Sequence, residues 1–387
     1  MRTLCLLMMT AFSAALGIAI ISPFLPELIG NHGANGFWIG MVFAGFGISR
    51  GIITPFIGKV SDKVGRKIFV ASGLMIYTAV SFFYTKADSV YALVLVRLVH
   101  GLSAGMILPI VMAYVGELAR QGKEGLTMGM FHTVFYFGVA TGPLIGGELA
   151  ERCGFASVFY AMAALAGFTL FLVLFFLPDV KTKDSMKDAK TVSFKDLFNK
   201  DHIKVILIMA FVSVTLFSVF MSFLPSIGIK DSLDMIHIGF IISFAIFVAG
   251  FLQIPLGKFA DSHSRWDRLL QAALGISISM MATFTLPLCP NFKALLLSGF
   301  FMGLGVAVAV PAISNLSVSI GKKIGMGRWM GLLSSVMSAA LVVAPIAAGI
   351  IMDRLGINSV FYSVGTFAFF CVLICAHYLL RKQKLLT

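Results

Sequence analysis

Long apolar stretches alternate with short polar segments along almost the whole chain. Twelve of these stretches reach roughly 20 residues, which is the length that an α-helix needs to cross the hydrocarbon core of a bilayer. They lie near residues 4–29, 37–58, 68–86, 89–116, 125–149, 155–177, 203–227, 235–257, 268–288, 292–318, 328–352 and 357–380. The pattern therefore predicts an all-α membrane protein with twelve transmembrane helices, because a helix satisfies its backbone hydrogen bonds within the segment.

The polar segments indicate that the chain contains two versions of one unit. The block GKVSDKVGRK at residues 58–67 recurs 199 residues later as Gly257, Lys258, Asp261 and Arg265. A second group of matches appears at a shift of 202 residues: Met128-Gly129 with Met330-Gly331, Pro143 with Pro345, and Gly147 with Gly349. Such duplication predicts two six-helix bundles. In membrane proteins it is typical of secondary transporters.

The longest hydrophilic stretch, residues 178–204, separates the two repeats. It mixes Lys and Asp with few large apolar residues, so it has too little apolar surface to form a core of its own. We interpret it as a cytoplasmic linker, either a solvated loop or, around residues 194–198, a short amphipathic helix on the membrane surface. The predicted domains are therefore a bundle at residues 1–177, this linker, and a second bundle at residues 205–387.

Composition supports a membrane protein and changes the interpretation of the charge. Hydrophobic residues make up 59% of the chain and charged residues 12%, against about 25% charged in soluble domains. The net charge of +13 would suit a nucleic-acid partner, but with the N-terminus inside, 23 of the 30 Lys and Arg fall in cytoplasmic segments and five outside. This is the positive-inside pattern. We therefore expect both termini in the cytoplasm and no nucleic-acid partner.

Sequence motifs for catalysis or for bound groups are missing. The five cysteines form no CxxC pair and show no metal-ligand spacing. We also find no nucleotide-binding loop and no catalytic constellation. We therefore expect no cofactor, no metal site and no enzymatic activity.

Three motifs resemble those of a known family. The block at residues 58–67 matches G-x-x-x-D-[RK]-x-G-R-[RK] at every specified position. Arg97, Gly101 and Gly105 resemble a motif of the fourth helix, and GVATGPLIGG at residues 138–147 resembles the fifth-helix motif G-x-x-x-G-P-x-x-G-G. Together they resemble the major facilitator superfamily, specifically its twelve-helix drug:proton antiporters. The resemblance implies the major facilitator fold.

The resemblance also implies a conformational latch at the cytoplasmic side. Asp62 is expected to face the start of span eleven near Gly327, and Arg66 is expected to pair with Glu117 at the end of span four. A carboxylate this close to the membrane needs a partner or a helix N-terminus. The alternative is a simple insertion signal, which explains the basic residues but not Asp62. The residues assigned to the latch are Gly58, Asp62, Gly65, Arg66, Lys67, Glu117 and Asp261.

Span five carries a stripe of glycines. Gly138, Gly142 and Gly146 follow one another at intervals of four residues, so they share a face on which another helix can approach closely. Pro143 is expected to bend this helix. By resemblance, Gly138, Gly142, Pro143, Gly146 and Gly147 would pack tightly against span eight and seal an outward gate. Ordinary packing of small residues is the alternative.

Charges inside the spans bear on the substrate. Arg50 and Arg97 lie deep within spans two and four, while none of the 17 Asp and Glu lies in the middle of a span. Glu27, near the outer end of span one, is the deepest acid. A charge within the bilayer normally faces a cavity or a partner. Fixed positive charge would suit an anionic or neutral amphipathic substrate and disfavour lipophilic cations.

Three further polar residues are candidates for proton or substrate binding. His100 lies one turn from Arg97, at a position where the family usually has Gln, and His132 lies on span five. Imidazole titrates near neutral pH and can carry a proton, although either histidine could equally be a packing residue. Asn315 on span ten is expected to form a hydrogen bond with substrate.

We therefore expect a monomeric secondary transporter in a bacterial cytoplasmic membrane. Its partners would be the lipid bilayer, a small amphipathic compound or drug, and protons as the coupling ion. Transport would be efflux by alternating access. Two alternatives remain open: a proton-independent or uptake carrier for a sugar or an anionic metabolite, and a flippase for a lipid or glycolipid.

Overall fold

A computed structural model describes residues 2–21, 36–178, 201–230, 233, 235–262 and 264–383. These residues contain twelve helices that are long and apolar enough to cross a membrane, which confirms the predicted number. The first six are α1 (Arg2–Ile20), α2 (Gly36–Val64), α3 (Lys67–Tyr84), α4 (Val90–Leu118), α5 (Glu124–Cys153) and α6 (Phe155–Phe176). The others are α7 (Asp201–Lys230), α8 (Met235–Asp261), α9 (Arg265–Thr285), α10 (Phe292–Ile324), α11 (Met326–Leu355) and α12 (Ile357–Gln383).

Helix ends follow local sequence signals that recur in the two repeats. Gly154 separates α5 from α6 with φ of 81°, and Gly356, 202 residues later, separates α11 from α12 with φ of 82°. Glycine has no Cβ and tolerates this left-handed backbone. The start of α9 carries a capping box, in which Ser264 and Asp267 each accept a backbone N–H from the other. Matching turns at matching places support the duplication.

Contacts divide the chain into two compact units. The first comprises residues 1–119, 134–188 and 321–346, and the second comprises residues 120–133, 189–320 and 347–387. Most of α11 therefore belongs to the first unit, while the first turns of α5 belong to the second. The predicted division into bundles at 1–177 and 205–387 stays a prediction, and most of the predicted linker lies outside the described residues.

Each unit has its own packed helices. In the first unit, α4 packs against α2 and α3, α3 packs against α6, and α1 contacts both α4 and α6. In the second unit, α12 packs against α7 and α9. Large side chains such as Tyr114 and Phe361 are fully buried, whereas Phe56, Phe175 and Phe251 are exposed. Apolar exposure on this scale is expected of a surface that lipid covers.

Candidate functional site

In the first unit, the last turn of α2 binds the start of α11. The Asp62 carboxylate accepts hydrogen bonds from the backbone N–H of Gly327 at 3.1 Å and of Arg328 at 3.2 Å. The first N–H groups of a helix have no partner within it, and the helix dipole favours a negative charge there. The contact expected between Asp62 and the start of span eleven is therefore present.

Arg66 joins Asp62 to a second carboxylate. Its Nη2 lies 3.0 Å from Asp62 Oδ1 and 2.5 Å from Glu117 Oε1 at the end of α4. The Arg66 side chain is fully buried. Removing one member of a buried ion pair typically costs about 3–5 kcal/mol, because a charge is left without compensation. We call Asp62, Arg66, Glu117 and the first turn of α11 the first latch.

Glycines allow the two helix backbones of the first latch to touch. A Cβ on Gly58 would lie 2.5 Å from the Gly327 carbonyl oxygen, which no real side chain tolerates. Gly65 then reverses the chain with φ of 116°, and Gly325 precedes α11 with φ of 102°. Lys67, assigned to the latch from the motif, begins α3 and forms none of the ion pairs found among the described residues.

In the second unit, the end of α8 binds the start of α5 in the same way. The Asp261 carboxylate accepts hydrogen bonds from the backbone N–H of Gly125 at 2.6 Å and of Leu126 at 2.8 Å. Asn315 Nδ2 on α10 donates a third bond to Asp261 Oδ1 at 2.8 Å. We call Asp261, Asn315 and the first turn of α5 the second latch. The prediction that placed Asn315 against substrate did not foresee this partner.

The start of α5 was not recognised as a site from the sequence, although the repeat contained the signal. A shift of 202 residues relates Gly125 to Gly327, and a shift of 199 relates Asp62 to Asp261. The expected contact of Asp62 with Gly327 therefore has a counterpart between Asp261 and Gly125. Gly257 completes the match, because a Cβ on this residue would collide with the Gly125 carbonyl oxygen.

The glycine stripe of α5 has a different neighbour from the one expected. A Cβ on Gly138 would lie 2.8 Å from the Phe12 carbonyl oxygen, and one on Gly142 would lie 2.8 Å from the Ile20 nitrogen. Both neighbours belong to α1, not to span eight. The close contacts of α5 with α8 lie at Gly125 and Gly129. Gly129 is nine residues before Gly138 and therefore on the opposite face of the helix.

The remaining members of the stripe differ from one another. Pro143 lies inside α5, and Gly146 is buried. Gly147 has no heavy atom within 4 Å of the position that a Cβ would occupy. Its place in the motif therefore does not correspond to a tight contact among the described residues.

Arg97 lies in an aromatic pocket of the first unit. It is 2% exposed, and its guanidinium carbon lies 5.5 Å from the ring centres of both Phe43 and Phe46, within cation–π range. The Tyr84 hydroxyl also interacts with it. The Nε and Nη1 atoms of Arg97 are buried and have no hydrogen-bond partner among the described residues.

His100 is enclosed by rings. Its imidazole stacks on Tyr77 with 5.0 Å between ring centres, and its Nδ1 lies 3.0 Å from the Tyr84 hydroxyl. Phe46 contacts it edge-on at 5.3 Å. A histidine satisfied in this way among aromatic side chains has the surroundings of a packing residue.

Arg50 on α2 is a second cation inside a membrane span. Its Nε is buried without a hydrogen-bond partner, and none of the ion pairs among the described residues includes this side chain. Glu27, the acid that the sequence places deepest, lies outside the described residues. Within the described part of the chain, Arg50 and Arg97 are therefore positive charges without a carboxylate partner.

His132 bridges two helices of the second unit. Its Nε2 lies 2.9 Å from the Ser314 hydroxyl on α10, and both side chains are buried. The next residue, Thr133, donates a hydrogen bond to the Gly250 carbonyl oxygen on α8 at 2.9 Å. The start of α5 is thus attached to both α8 and α10 by polar contacts.

Comparison with known proteins gives a consistent result. The family model of the Major Facilitator Superfamily matches residues 7–319 and, in a second match, residues 206–386. An uncharacterised MFS-type transporter of Methanocaldococcus jannaschii is 24% identical over 358 residues, which cover 91% of this chain and 92% of that protein. The quinolone resistance protein NorA of Staphylococcus aureus is 26% identical over 354 residues and 88% of each chain.

A solved structure shows the same fold. The human organic anion transporter MFSD10 (TETRAN) superimposes with a TM-score of 0.81, covering 97% of this chain and 99% of that one, at 17% sequence identity. The twelve helices found here therefore have a counterpart of known structure along nearly their whole length.

Proposed function

Because the chain belongs to the major facilitator superfamily, we propose that it is a proton-coupled exporter of small amphipathic compounds that are anionic or neutral. The protein is a multi-pass membrane protein, and its described residues contain twelve helices that can span the bilayer. We place it in a bacterial cytoplasmic membrane, with both termini in the cytoplasm. Export would proceed by alternating access, in which binding and release occur in two conformations.

The observation that carries the substrate class is the pair of arginines inside membrane spans, Arg50 and Arg97. On insertion scales, an arginine at the centre of a membrane helix costs about 2.5–3.5 kcal/mol. A chain retains such residues when a cavity, a counter-charge or a ligand compensates them. For Arg50, the described residues supply no carboxylate. An anionic group of the substrate would supply the missing charge.

The relatives support transport of organic compounds. The Staphylococcus protein is named for quinolone resistance, and it is similar to this chain over 88% of both sequences. The human structural neighbour is titled an organic anion transporter. That likeness concerns the fold, so it indicates only that this architecture is compatible with anionic substrates.

The two latches support alternating access. Each uses a carboxylate at the end of one helix to bind the first turn of another helix. Such contacts are specific to one arrangement of the helices, so their formation and release would separate two conformations. We propose that transport requires both latches to open and close.

Substrate binding can be tested by thermal unfolding of the purified protein, because a ligand that binds the native state raises its stability. The probes are fluorescein as an anion, norfloxacin as a quinolone and tetraphenylphosphonium as a lipophilic cation. We expect fluorescein to stabilise the wild type, Arg50→Ala to lose at least about tenfold in fluorescein affinity, and Arg50→Lys to retain part of it. Arg152→Ala is the matched control, because Arg152 is an exposed arginine paired with Glu148.

Two results would contradict the proposal. Preferential binding of tetraphenylphosphonium, unchanged by Arg50→Ala, would indicate that the protein exports lipophilic cations instead. Fluorescein transport in proteoliposomes without accompanying proton flux would instead favour a proton-independent carrier.

A further inference from the structure

Two adjacent residues of α10 connect His132 to the second latch, each through its own hydrogen bond. His132 Nε2 lies 2.9 Å from the Ser314 hydroxyl. The next residue on α10, Asn315, donates to Asp261 at 2.8 Å. Asp261 then binds the backbone of Gly125 on α5, the helix that carries His132. Ser314 and Asn315 of α10 therefore bind two parts of the same region, His132 on α5 and the Asp261 carboxylate that holds the start of α5.

We propose that His132 is the proton-binding residue of the transport cycle and that its protonation opens the second latch. This inference rests on the proposed proton-coupled transport, because it names the group that would carry the coupling ion. Histidine is the side chain whose charge normally changes between about pH 5 and 8.

Protonation of His132 changes its contact with Ser314. A neutral imidazole nitrogen can either accept or donate a hydrogen bond, whereas both nitrogens of an imidazolium donate. The Ser314 hydroxyl must then accept, and must turn its own hydrogen elsewhere. His132 is 8% exposed and Ser314 is 7% exposed, so the added charge would be buried. Burying a charge is costly, and therefore protonation favours an arrangement in which water reaches His132.

The second latch would open with this change because Ser314 and Asn315 are consecutive residues. A displacement of α10 at Ser314 also moves the Asn315 amide away from Asp261. Toward the latch ends of these helices, the charged groups are Glu124 on α5, Lys258 and Asp261 on α8, and Lys322 and Lys323 on α10. The other acidic and basic groups lie near their opposite ends: Glu148, Glu151 and Arg152 on α5, His237 on α8 and Lys293 on α10. Of all these groups, Asp261 is bound to Asn315, the residue next to the one that His132 contacts.

His100 is the weaker candidate for the same role. It lies one turn from the Arg97 guanidinium on α4, and like charges disfavour a second positive charge nearby. Its imidazole is also stacked on Tyr77 and hydrogen-bonded to Tyr84. His100 in addition lies in a different compact unit from the second latch.

The experiment compares the wild type with His132→Gln and, as a matched control, His100→Gln. Glutamine can form a hydrogen bond with Ser314 but cannot titrate. Hydrogen–deuterium exchange of the peptide covering residues 124–130 is measured at about pH 5.5 and 7.5 and corrected for intrinsic exchange rates. We expect protection to fall at least about tenfold at the lower pH in the wild type and in His100→Gln, and to stay constant in His132→Gln.

A second measurement follows proton flux with a pH electrode in a weakly buffered suspension of proteoliposomes on addition of fluorescein. We expect flux in the wild type and in His100→Gln, and loss of at least about nine tenths of it in His132→Gln. If His132→Gln does not fold, Ser314→Ala replaces it in the exchange experiment. That variant breaks the link to α10, so protection of the peptide should become insensitive to pH.

The outcomes distinguish the inference about His132 from the proposed proton-coupled export. If exchange protection of the peptide still depends on pH in His132→Gln, the inference is overturned. Undiminished proton flux in that variant would overturn it as well. If the wild type showed no proton flux but its protection depended on His132, the proposed proton-coupled export would fail and the switch would stand.

Discussion

Asp62 and Asp261 have the same role at two places, since each carboxylate accepts two backbone N–H groups at the start of another helix. Their third partners differ. Asp62 also binds Arg66, which is shared with Glu117, whereas Asp261 binds the neutral amide of Asn315. Loss of negative charge is therefore more serious at Asp62, where it leaves a buried guanidinium with a single carboxylate.

Asp62→Asn should reduce transport strongly, while Asp261→Asn should reduce it less. Hydrogen bonds to charged groups contribute about 1.5–3 kcal/mol, and about 1.4 kcal/mol corresponds to a tenfold change in a conformational equilibrium. We expect a fall of at least about tenfold in fluorescein transport for Asp62→Asn. The measurement uses proteoliposomes with equal amounts of reconstituted protein, and size-exclusion chromatography checks folding. Wild-type rates in Asp62→Asn would rule out a functional first latch.

At the scale of helices, each latch brings a glycine of one helix against a glycine of another. Gly58 lies against the Gly327 carbonyl oxygen in the first latch, and Gly257 lies against Gly125 in the second. Residues without a side chain favour close approach of this kind, and here both helices supply one. In each latch, the aspartate carboxylate reaches the N–H groups at the start of the other helix because the two backbones touch at these glycines.

Gly58→Val should therefore weaken the first latch by separating α2 from α11. Inserting side-chain atoms into a packed contact costs about 1–3 kcal/mol, which we expect as a lower melting temperature and reduced transport. Gly239→Val is the control, because a Cβ at Gly239 has no heavy atom within 4 Å. Equal effects of the two substitutions would show that loss of helix flexibility, and not the contact, is responsible.

The two faces of α5 permit a similar comparison. A Cβ on Gly142 would meet the backbone of α1, whereas one on Gly147 would meet nothing within 4 Å. We expect Gly142→Leu to destabilise the protein by about 1–3 kcal/mol and to increase proton leak in proteoliposomes, and Gly147→Leu to change neither. A stable, tight Gly142→Leu variant would show that α5 does not need this contact with α1.

The sequence predicted which residues share a helix face better than it predicted what covers that face. The stripe at Gly138 and Gly142 was recognised from its spacing, but the spacing does not identify α1 as the neighbour. Asn315 was likewise recognised as an unusual polar residue, while its partner Asp261 lies 54 residues away. The contacts of Asp62 and Arg66 were predicted because a complete motif carried them.

At the scale of the whole molecule, charge and helix number together predict the orientation. The part of the chain that the structure describes contains twelve spans, and an even number predicts that its two ends lie on the same side of the membrane. The turn at residues 120–123, between α4 and α5, contains Arg120 and Lys123. The turn between α5 and α6 follows the exposed Cys153. The positive-inside pattern assigns the first of these turns to the cytoplasm and the second to the exterior.

This orientation can be measured with single cysteines. One variant keeps only Cys153, with the other four cysteines replaced by serine. A second variant replaces all five and carries Lys123→Cys, at a position that is exposed. A membrane-impermeant maleimide should label Cys153 in intact cells but should label Lys123→Cys only after the cells are permeabilised. The reverse labelling would show the opposite orientation. The two turns flank the same helix, α5, and cannot lie on the same side of a bilayer that it spans.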